Sequence, residues 1–351
     1  MVQGQRVVKG DLITIDGTTG EVFLGEVPTI QPEFGPELRQ LLAWADDIRP
    51  IGVRANADTP EDAALAREMG AEGIGLCRTE RMFNATDRLP IVREMILASS
   101  DEERNGAIAR LLPFQKADFK GIFAAMNGLP VTVRLLDPPL HEFLPPLPML
   151  MWEVERLRSL KNSLEHLDRL PGAFRANLEP GMEDHFNALA RVLDEVSDVR
   201  EAAVIDELLR KKEAVLRKVE EITEVNPMLG HRGVRLGIKY PEIYRMQIRA
   251  ILEAAAECLS EGIDARPEIM VPQVSTVREI REVRRWLDEI RAEVEQRYQR
   301  QVPLQFGTMI EVVRACLNAD RLAEVTEFFS FGTNDLTQAT FSFSREDAEV
   351  K

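Results

Sequence analysis

The stretch IGVRANADTPEDAALAREMGAEGIGLCRTE, residues 51–80, decides the fold class of this chain. It predicts a strand at Ile51–Ala55, a helix at Glu61–Met69 and a second strand at Gly73–Cys77. A strand–helix–strand unit of this length joins parallel strands, and functional loops then follow the carboxyl ends of the strands. Further strands are predicted at Val131–Leu136, Gly233–Ile238, Glu268–Val271, Leu304–Glu311 and Phe328–Phe331. We therefore expect an α/β chain whose seven or so strands form an incomplete (β/α)₈ TIM-type barrel.

Two segments fall outside this alternation. Short strands at Leu12–Ile15 and Glu21–Leu24, joined by a turn, predict an N-terminal hairpin that looks like the end of a domain. Residues 148–225 are charged and carry apolar residues at three- and four-residue spacing, which predicts amphipathic helices inserted into the barrel. The expected organisation is residues 1–28 as the domain end, 29–49 as a linker with a helix at Pro36–Asp47, and 50–351 as a barrel truncated at its C-terminus, with the helical insertion within it.

The composition restricts the class of function. The chain has 351 residues, with 44 Lys and Arg against 59 Asp and Glu and a net charge of −15. This acidic balance argues against nucleic-acid or membrane binding, so we expect neither partner, and any anionic ligand has to meet locally placed cations. No apolar run predicts a signal peptide or a membrane helix, and the three cysteines form no CxxC pair, so we expect a cytoplasmic protein with reduced thiols.

Two arginines end predicted strands. Arg78 follows the apolar run 73–77, and Arg134 lies among the β-branched and aliphatic residues of 131–136. Each arginine alone either neutralises a buried carboxylate or contacts a ligand, and its planar fork suits phosphate and carboxylate. Because the two lie on different strands, together they favour an anion site.

Two carboxylates also follow neighbouring strands. Glu311 ends the run Phe306-Gly-Thr-Met-Ile-Glu311, and Asp335 ends Phe331-Gly-Thr-Asn-Asp335. Mg²⁺ commonly takes one or two protein carboxylates and completes its shell with water and substrate oxygens, whereas zinc would need a His/Cys cluster. The structural alternative is that Glu311 caps a helix and Asp335 forms a turn.

Other polar residues give weaker signals. We interpret His231 as structural, and Arg232 as a supporting charge near the site. Arg345 supplies a further cation shortly after Asp335. The chain has no glycine-rich phosphate loop, so we expect no ATP site in it.

These motifs, in this order, closely resemble the C-terminal phosphoenolpyruvate/pyruvate domain of the pyruvate, phosphate dikinase family, part of the wider group of phosphoenolpyruvate-utilising enzymes. The hairpin resembles the tail of that family's phosphohistidine domain. The matching stretches are Ala55–Pro60, Gly73–Glu80, Arg134–Phe143, Asn226–Gly233 and Gly332–Gln338. Phosphoenolpyruvate synthase and enzyme I of the sugar phosphotransferase system share the architecture, but His141–Pro145 and the Asn226 motif resemble the dikinase more closely.

The resemblance implies roles for eight residues. Arg78 and Arg134 would hold the phosphoryl group, and Glu311 and Asp335 would bind Mg²⁺ and substrate. Gly332, Thr333 and Asn334 would contact the pyruvate portion, and Arg345 would be a further phosphate-side arginine. The implied reaction is phosphoryl transfer between phosphoenolpyruvate/pyruvate and a histidine of the full-length enzyme's phosphohistidine domain, with Mg²⁺ as cofactor and the chain as part of a homodimer.

The sequence also departs from the family pattern. Arg81 stands where histidine is usual, and Val313 stands where proline is common. None of the four histidines lies in a phosphohistidine motif and no cysteine lies in the family's catalytic segment, so we expect both catalytic groups outside this chain and the isolated chain to be inactive. The alternatives are a non-catalytic phosphoenolpyruvate-binding or dimerisation module, a fragment of phosphoenolpyruvate synthase, and a metal-dependent lyase on a related barrel.

Overall fold

The structure is a computed structural model that describes residues 7–28, 35–167, 199–224, 226–227, 229–344 and 348. The chain forms two compact units, Met1–Gly52 and Val53–Lys351. The α/β class, the N-terminal hairpin and the incomplete TIM-type barrel are confirmed. The domain boundaries expected after residues 28 and 49 stay predictions.

The first unit contains the hairpin and one helix. Strands β1 (Ile13–Ile15) and β2 (Val22–Leu24) pair antiparallel, with Thr14 opposite Phe23. The carboxylate of Asp16 accepts the N–H of Thr18 at 2.8 Å and so closes the turn. This backbone hydrogen bond lowers the pKa of Asp16. Helix α1 (Pro36–Ile48) begins with proline at its first position, where the missing N–H costs nothing.

The second unit contains a six-stranded sheet in which every described neighbour pair is parallel, and the sheet curls as a half-barrel. The strands follow one another across the sheet in chain order, as the strand–helix alternation predicts. Their carboxyl ends therefore share one edge of the sheet. The strands are β3 (Ala55–Asn56), β4 (Ile74–Arg78), β5 (Pro130–Arg134), β6 (Arg266–Val271), β7 (Gln305–Ile310) and β8 (Phe328–Phe331).

Helices follow most of these strands. Thr59 caps the helix Pro60–Glu68 by accepting the N–H of Asp62 at 3.1 Å, and Ser100 caps the helix Asp101–Ala125 in the same way. The helices are α2 (Pro60–Glu68), α3 (Thr79–Phe83), α4 (Leu89–Leu97), α5 (Asp101–Ala125), α6 (Leu147–Leu167), α7 (Val199–Ile222), α8 (Val234–Lys239), α9 (Pro241–Ser260), α10 (Val277–Tyr298), α11 (Val313–Leu317), α12 (Ala319–Ala323) and α13 (Thr333–Phe341), with a 3₁₀ turn at Leu140–Phe143.

Two strand predictions are wrong. The segment Gly233–Ile238 was expected as a strand but forms α8, closed by local bonds such as Gly237 N–H to Gly233 O at 3.1 Å. Its alternation of apolar and polar residues is too short to distinguish the two structures, and Ile238 is exposed. The sheet accordingly has six strands within the described ranges rather than seven. The first strand is also shorter than Ile51–Ala55, since β3 covers only Ala55–Asn56.

The core lies between the sheet and the helices behind it. Helices α5 and α9 pack together and bury Phe119 and Ile122 on one side and Ile248 and Ile251 on the other. Each such side chain contributes about 1.5–3 kcal/mol by leaving water. This packing fixes the strands, and with them the positions of the polar residues at the strand ends.

The insertion is helical where it is described. Helices α6 and α7 pack together, and Glu153 pairs with Lys212 at 2.6 Å across them. The predicted amphipathic stretch Phe186–Val196 lies outside the described residues. No helix in the described part of the chain is long and apolar enough to cross a bilayer.

Candidate functional site

Arg78 and Arg134 lie side by side at the ends of neighbouring strands. They are register partners in the pairing of β4 with β5. Arg78 donates through Nη2 to Asp58 Oδ2 at 2.7 Å and through Nε to the same oxygen at 3.1 Å, while its backbone N–H donates to Asp58 Oδ1 at 2.7 Å. The hydrogen bond to buried Asp58 raises the pKa of Arg78. Asp58 therefore fixes the guanidinium of Arg78 at the strand end.

Arg134 is the more buried of the two arginines. Its Nη2 pairs with Glu80 Oε1, and its Nη1 lies 3.1 Å from Asp137 Oδ2. Burial opposes the charge, but the carboxylates of Asp137 and Glu80 outweigh it and the pKa of Arg134 is raised. Its Nε, together with Glu80 Oε2 and Thr79 Oγ1, is buried without a hydrogen-bond partner. Unsatisfied buried polar atoms are costly, so the free energy of this polar cluster rests on the ion pairs of Arg134.

Asp137 joins Arg134 to Arg232. Arg232 donates through Nη2 to Asp137 Oδ2 at 2.6 Å and through Nε to Oδ1 at 3.2 Å. The side chain of Asp137 is only 4% exposed. The backbone of Leu136 next to it is held from α9, where Tyr244 Oη donates to Leu136 O at 2.9 Å and Gln247 Oε1 accepts Leu136 N–H at 2.9 Å. One carboxylate on a clamped backbone thus orients two arginines.

Glu311 is the most unusual ionisable group of the site. It is 3% exposed, and burial raises its pKa to about 7, assisted by the charges of Asp137 and Asp335. The N–H of Gln273 donates to Glu311 Oε1 at 2.6 Å and opposes this shift. Glu311 makes no cap on α11, whose N-cap is Val312, so the capping alternative does not hold.

Gly332 brings the end of β8 against Glu311. A Cβ at Gly332 would lie 2.6 Å from Glu311 Cβ and 2.8 Å from Oε2, so only glycine fits without displacement. Thr333, Asn334 and Asp335 follow in the first turn of α13. The strand order therefore places Asp335 beside Glu311 at the same sheet edge.

The cluster of Glu311, Asp335 and Asp137 is chemically suited to bind a cation. The charges of Asp137 and Asp335 raise the free-energy cost of ionising Glu311, and Glu311 has no cationic hydrogen-bond partner in the described residues. A divalent cation held by Glu311 and Asp335 would relieve that repulsion, with water and substrate oxygens completing its shell. No cluster of three or more His, Cys, Asp or Glu suited to a metal occurs in the described ranges, so the protein would supply few of the ligands.

The remaining predicted residues differ in outcome. Arg345 lies outside the described residues, so its role stays a prediction. The Nε2 of His231 is buried without a partner, and burial lowers its pKa. Sequence reasoning did not assign roles to Asp58, Glu80, Asp137 or Gln273. The first three are carboxylates within the quoted motifs and could have been identified there. Gln273 contributes only its backbone N–H, which no pattern of residue types in the sequence indicates.

Comparison with known proteins identifies the family of the chain. The family model described as PEP-utilising enzyme, PEP-binding domain matches residues 35–351. The chain is 50% identical over 347 residues to pyruvate, phosphate dikinase of Entamoeba histolytica, covering 98% of this chain and 34% of that protein. It is 44% identical over 349 residues to the Giardia intestinalis protein of the same name, covering 99% and 34%.

A plant relative, pyruvate, phosphate dikinase 1, chloroplastic, of Oryza sativa subsp. japonica, is 44% identical over 348 residues, covering 99% of this chain and 32% of its own length. The chain thus spans about a third of the length of the curated relatives it matches. The resemblance found in the motifs is confirmed, and the chain belongs to the phosphoenolpyruvate-utilising enzymes, whose PEP-binding domain it contains.

Proposed function

We propose that this chain carries the phosphoenolpyruvate/pyruvate site of a pyruvate, phosphate dikinase and performs its part of a Mg²⁺-dependent phosphoryl transfer to and from a phosphohistidine. The observation that supports the proposal is that two arginines and a buried carboxylate lie at the same edge of the sheet. Arg78 and Arg134 stand at the ends of β4 and β5, and Glu311 stands at the end of β7 with its pKa raised to about 7. Phosphoenolpyruvate needs both groups, cations for its phosphoryl oxygens and a cation site near its enolate oxygen.

In the proposed reaction the bond between phosphorus and the enol oxygen of phosphoenolpyruvate breaks, and phosphorus joins a histidine nitrogen. The electron pair of the broken bond stays on the enolate oxygen, and the enolate then takes a proton at carbon to give pyruvate. Arg78 and Arg134 offset the charge that develops on the phosphoryl oxygens, and their orienting carboxylates limit the reorganisation needed. Glu311 and Asp335 would hold Mg²⁺, which would supply positive charge that stabilises the enolate.

The other residues bind and position. Gly332 leaves room for Glu311, and Thr333 and Asn334 in the first turn of α13 would contact the carboxylate end of pyruvate. Arg345 would add a cation on the phosphate side. The histidine acceptor would come from the phosphohistidine domain of the full-length enzyme, and the proton donor would be the cysteine of the family's catalytic segment elsewhere in that enzyme.

We also infer a homodimer in the cytoplasm. An unpaired edge of a parallel sheet is usually covered, and within the described residues β8 pairs with β7 alone and its Phe331 is 63% exposed. All three cysteines are free thiols, which suits a reducing compartment. Light scattering during size-exclusion chromatography tests the dimer, and a monomer mass across micromolar concentrations would contradict it.

Calorimetry with oxalate, a mimic of the enolate of pyruvate, tests the site. Wild-type chain should bind oxalate only when Mg²⁺ is present, and Asp335→Ala should weaken this binding at least about tenfold, or 1.4 kcal/mol. Asp320→Ala is the matched control, because Asp320 is an exposed aspartate on α12 outside the site. Equal affinities in the two variants would remove the assignment of Asp335.

A further inference from the structure

A cleft lies on the helical layer outside the sheet, where α10 begins and α11 and α12 pass. Its volume is about 350 Å³. Three arginines from three different helices converge on it: Arg281 of α10, Arg314 of α11 and Arg321 of α12. It is called here the three-arginine cleft. The other lining residues are Thr276, Val277, Asn318 and Glu324.

In the described part of the chain, the three arginines are not paired with a carboxylate. Within the described residues, no ion pair or side-chain hydrogen bond involves the guanidinium of Arg281, Arg314 or Arg321. Glu324, the one acidic residue of the lining, leaves the cleft with an excess of two positive charges. An excess of positive charge in a cleft favours the binding of an anion, most strongly at low ionic strength.

The neighbouring groove shows the opposite arrangement. It continues along α10 from Arg281, and its other two arginines, Arg284 and Arg285, are neutralised. Arg284 lies 3.2 Å from Asp288 and 3.0 Å from Glu327. Arg285 likewise pairs with two glutamates of its own helix. In a chain with a net charge of −15, carboxylates are plentiful, yet the lining of the three-arginine cleft includes Glu324 alone against three arginines.

Hydrogen bonds to an anion in the cleft would come from the three arginines and not from the N-terminus of α10. Thr276 and Glu279 form a capping box that already satisfies backbone N–H groups at the start of α10. Guanidinium groups carried by three different helices suit the oxygens of a phosphate group, because a planar fork can donate two hydrogen bonds to such an anion. The amide of Asn318 could complete the set.

The cleft is separate from the candidate substrate site. Arg314 follows Glu311 by three residues, but no residue proposed to hold phosphoenolpyruvate or Mg²⁺ lines the cleft. We propose that the three-arginine cleft binds the phosphate group of a small, freely diffusing anion that carries at least two negative charges. This inference is independent of the proposed function, because it uses none of the same residues.

Titration with inorganic phosphate at low ionic strength tests the proposal. We compare wild type with Arg281→Gln/Arg321→Gln, and use Arg217→Gln/Arg300→Gln as the control, since Arg217 and Arg300 are exposed arginines outside the cleft. Calorimetry should show that the affinity of the cleft for phosphate is at least tenfold weaker in the first double variant and unchanged in the control. Any phosphate held by Arg78 and Arg134 contributes equally to all three proteins.

A local probe distinguishes the cleft from the rest of the surface. Cys316 lies between Arg314 and Asn318 on α11 and is exposed, whereas Cys77 and Cys258 are buried. A fluorophore on Cys316 should respond to phosphate and sulfate but not to acetate at the same ionic strength. Identical isotherms in the two double variants, or an equal response to acetate, would overturn the proposal. All four substituted arginines are exposed, and a urea unfolding curve confirms that each variant is folded.

Discussion

The backbone N–H of Gln273 donates to Oε1 of Glu311 at 2.6 Å, and Gln273 does so from a left-handed conformation with φ of 58°. Such conformations are costly for residues other than glycine and persist where the surroundings enforce them. Here the neighbour is Gly233, where a Cβ would lie 2.6 Å from the Cβ of Gln273. The loop after β6 is therefore folded so that one N–H faces the buried carboxylate.

Replacing Gln273 tests whether this backbone geometry positions Glu311. Gln273→Gly accepts the positive φ without strain, so Mg²⁺-dependent oxalate binding should stay within about twofold of wild type. Gln273→Val should lose about 2 kcal/mol of unfolding free energy and bind oxalate more weakly, because a β-branched residue resists this conformation. Urea unfolding and calorimetry measure the two effects. A valine variant that binds like wild type would show that the hydrogen bond is dispensable.

We expect Glu311 to lower the stability of the chain as the pH rises, whereas an ion-paired carboxylate raises stability as the pH rises. Its native pKa of about 7 exceeds the ordinary value of 4.5, so between these values the native chain holds the proton more tightly than the unfolded chain. Ionising Glu311 therefore lowers the free energy of unfolding. This loss is absent below about pH 4.5, grows as the pH rises, and is complete above about pH 7, where it reaches at most about 3 kcal/mol.

In metal-free buffer, Glu311→Gln should therefore gain stability over wild type as pH rises from 4.5 to 8. Chemical unfolding at several pH values measures the difference, and Glu220→Gln, an exposed glutamate of α7, is the control. Adding Mg²⁺ should reduce the gap, because the metal favours the ionised carboxylate. A difference between the two proteins that is constant over the whole range would exclude a raised pKa at Glu311.

Much of this site could be predicted from the sequence because strand order puts consecutive carboxyl ends at one edge. Arg78, Arg134, Glu311 and Asp335 each follow an apolar run, and that signal is local. What could not be predicted depends on tertiary packing. The apolar alternation in 233–238 was interpreted as a strand, but Gly237 packs against the ring of Tyr244, where a Cβ would lie 2.5 Å away, and the segment folds as α8.

Gly332→Ala should remove metal binding without unfolding the chain. The added methyl would meet Glu311 Cβ at 2.6 Å and Oε2 at 2.8 Å, so Glu311 has to move. We expect Mg²⁺-dependent oxalate affinity to fall at least about tenfold, or 1.4 kcal/mol. Gly106→Ala is the matched control, because nothing lies within 4 Å of the new Cβ in α5. That variant should gain about 0.5–1 kcal/mol of stability and bind normally.

Arg134→Lys separates a phosphate contact from a structural charge. Lysine keeps the charge but loses the planar fork, which pairs with Glu80 and Asp137 and matches the geometry of a phosphate group. Phosphoenolpyruvate should bind at least about tenfold more weakly, or 1.4 kcal/mol, whereas oxalate, which has no phosphoryl group, should lose much less. Calorimetry with both ligands on the same preparation decides the matter. Equal losses would mean that Arg134 acts only through the structure.

Asp137→Asn should have two effects of opposite sign. Asp137 neutralises Arg134 and Arg232 in a buried setting, so its loss should cost about 3–5 kcal/mol of unfolding free energy. The same charge raises the pKa of Glu311, so in the variant Glu311 should ionise at lower pH. The folded fraction should therefore bind Mn²⁺ at pH 6 with less loss than at pH 8, relative to wild type. Electron paramagnetic resonance of free Mn²⁺ at both pH values measures this ratio, and a loss that is the same at both would show that Asp137 does not act on Glu311.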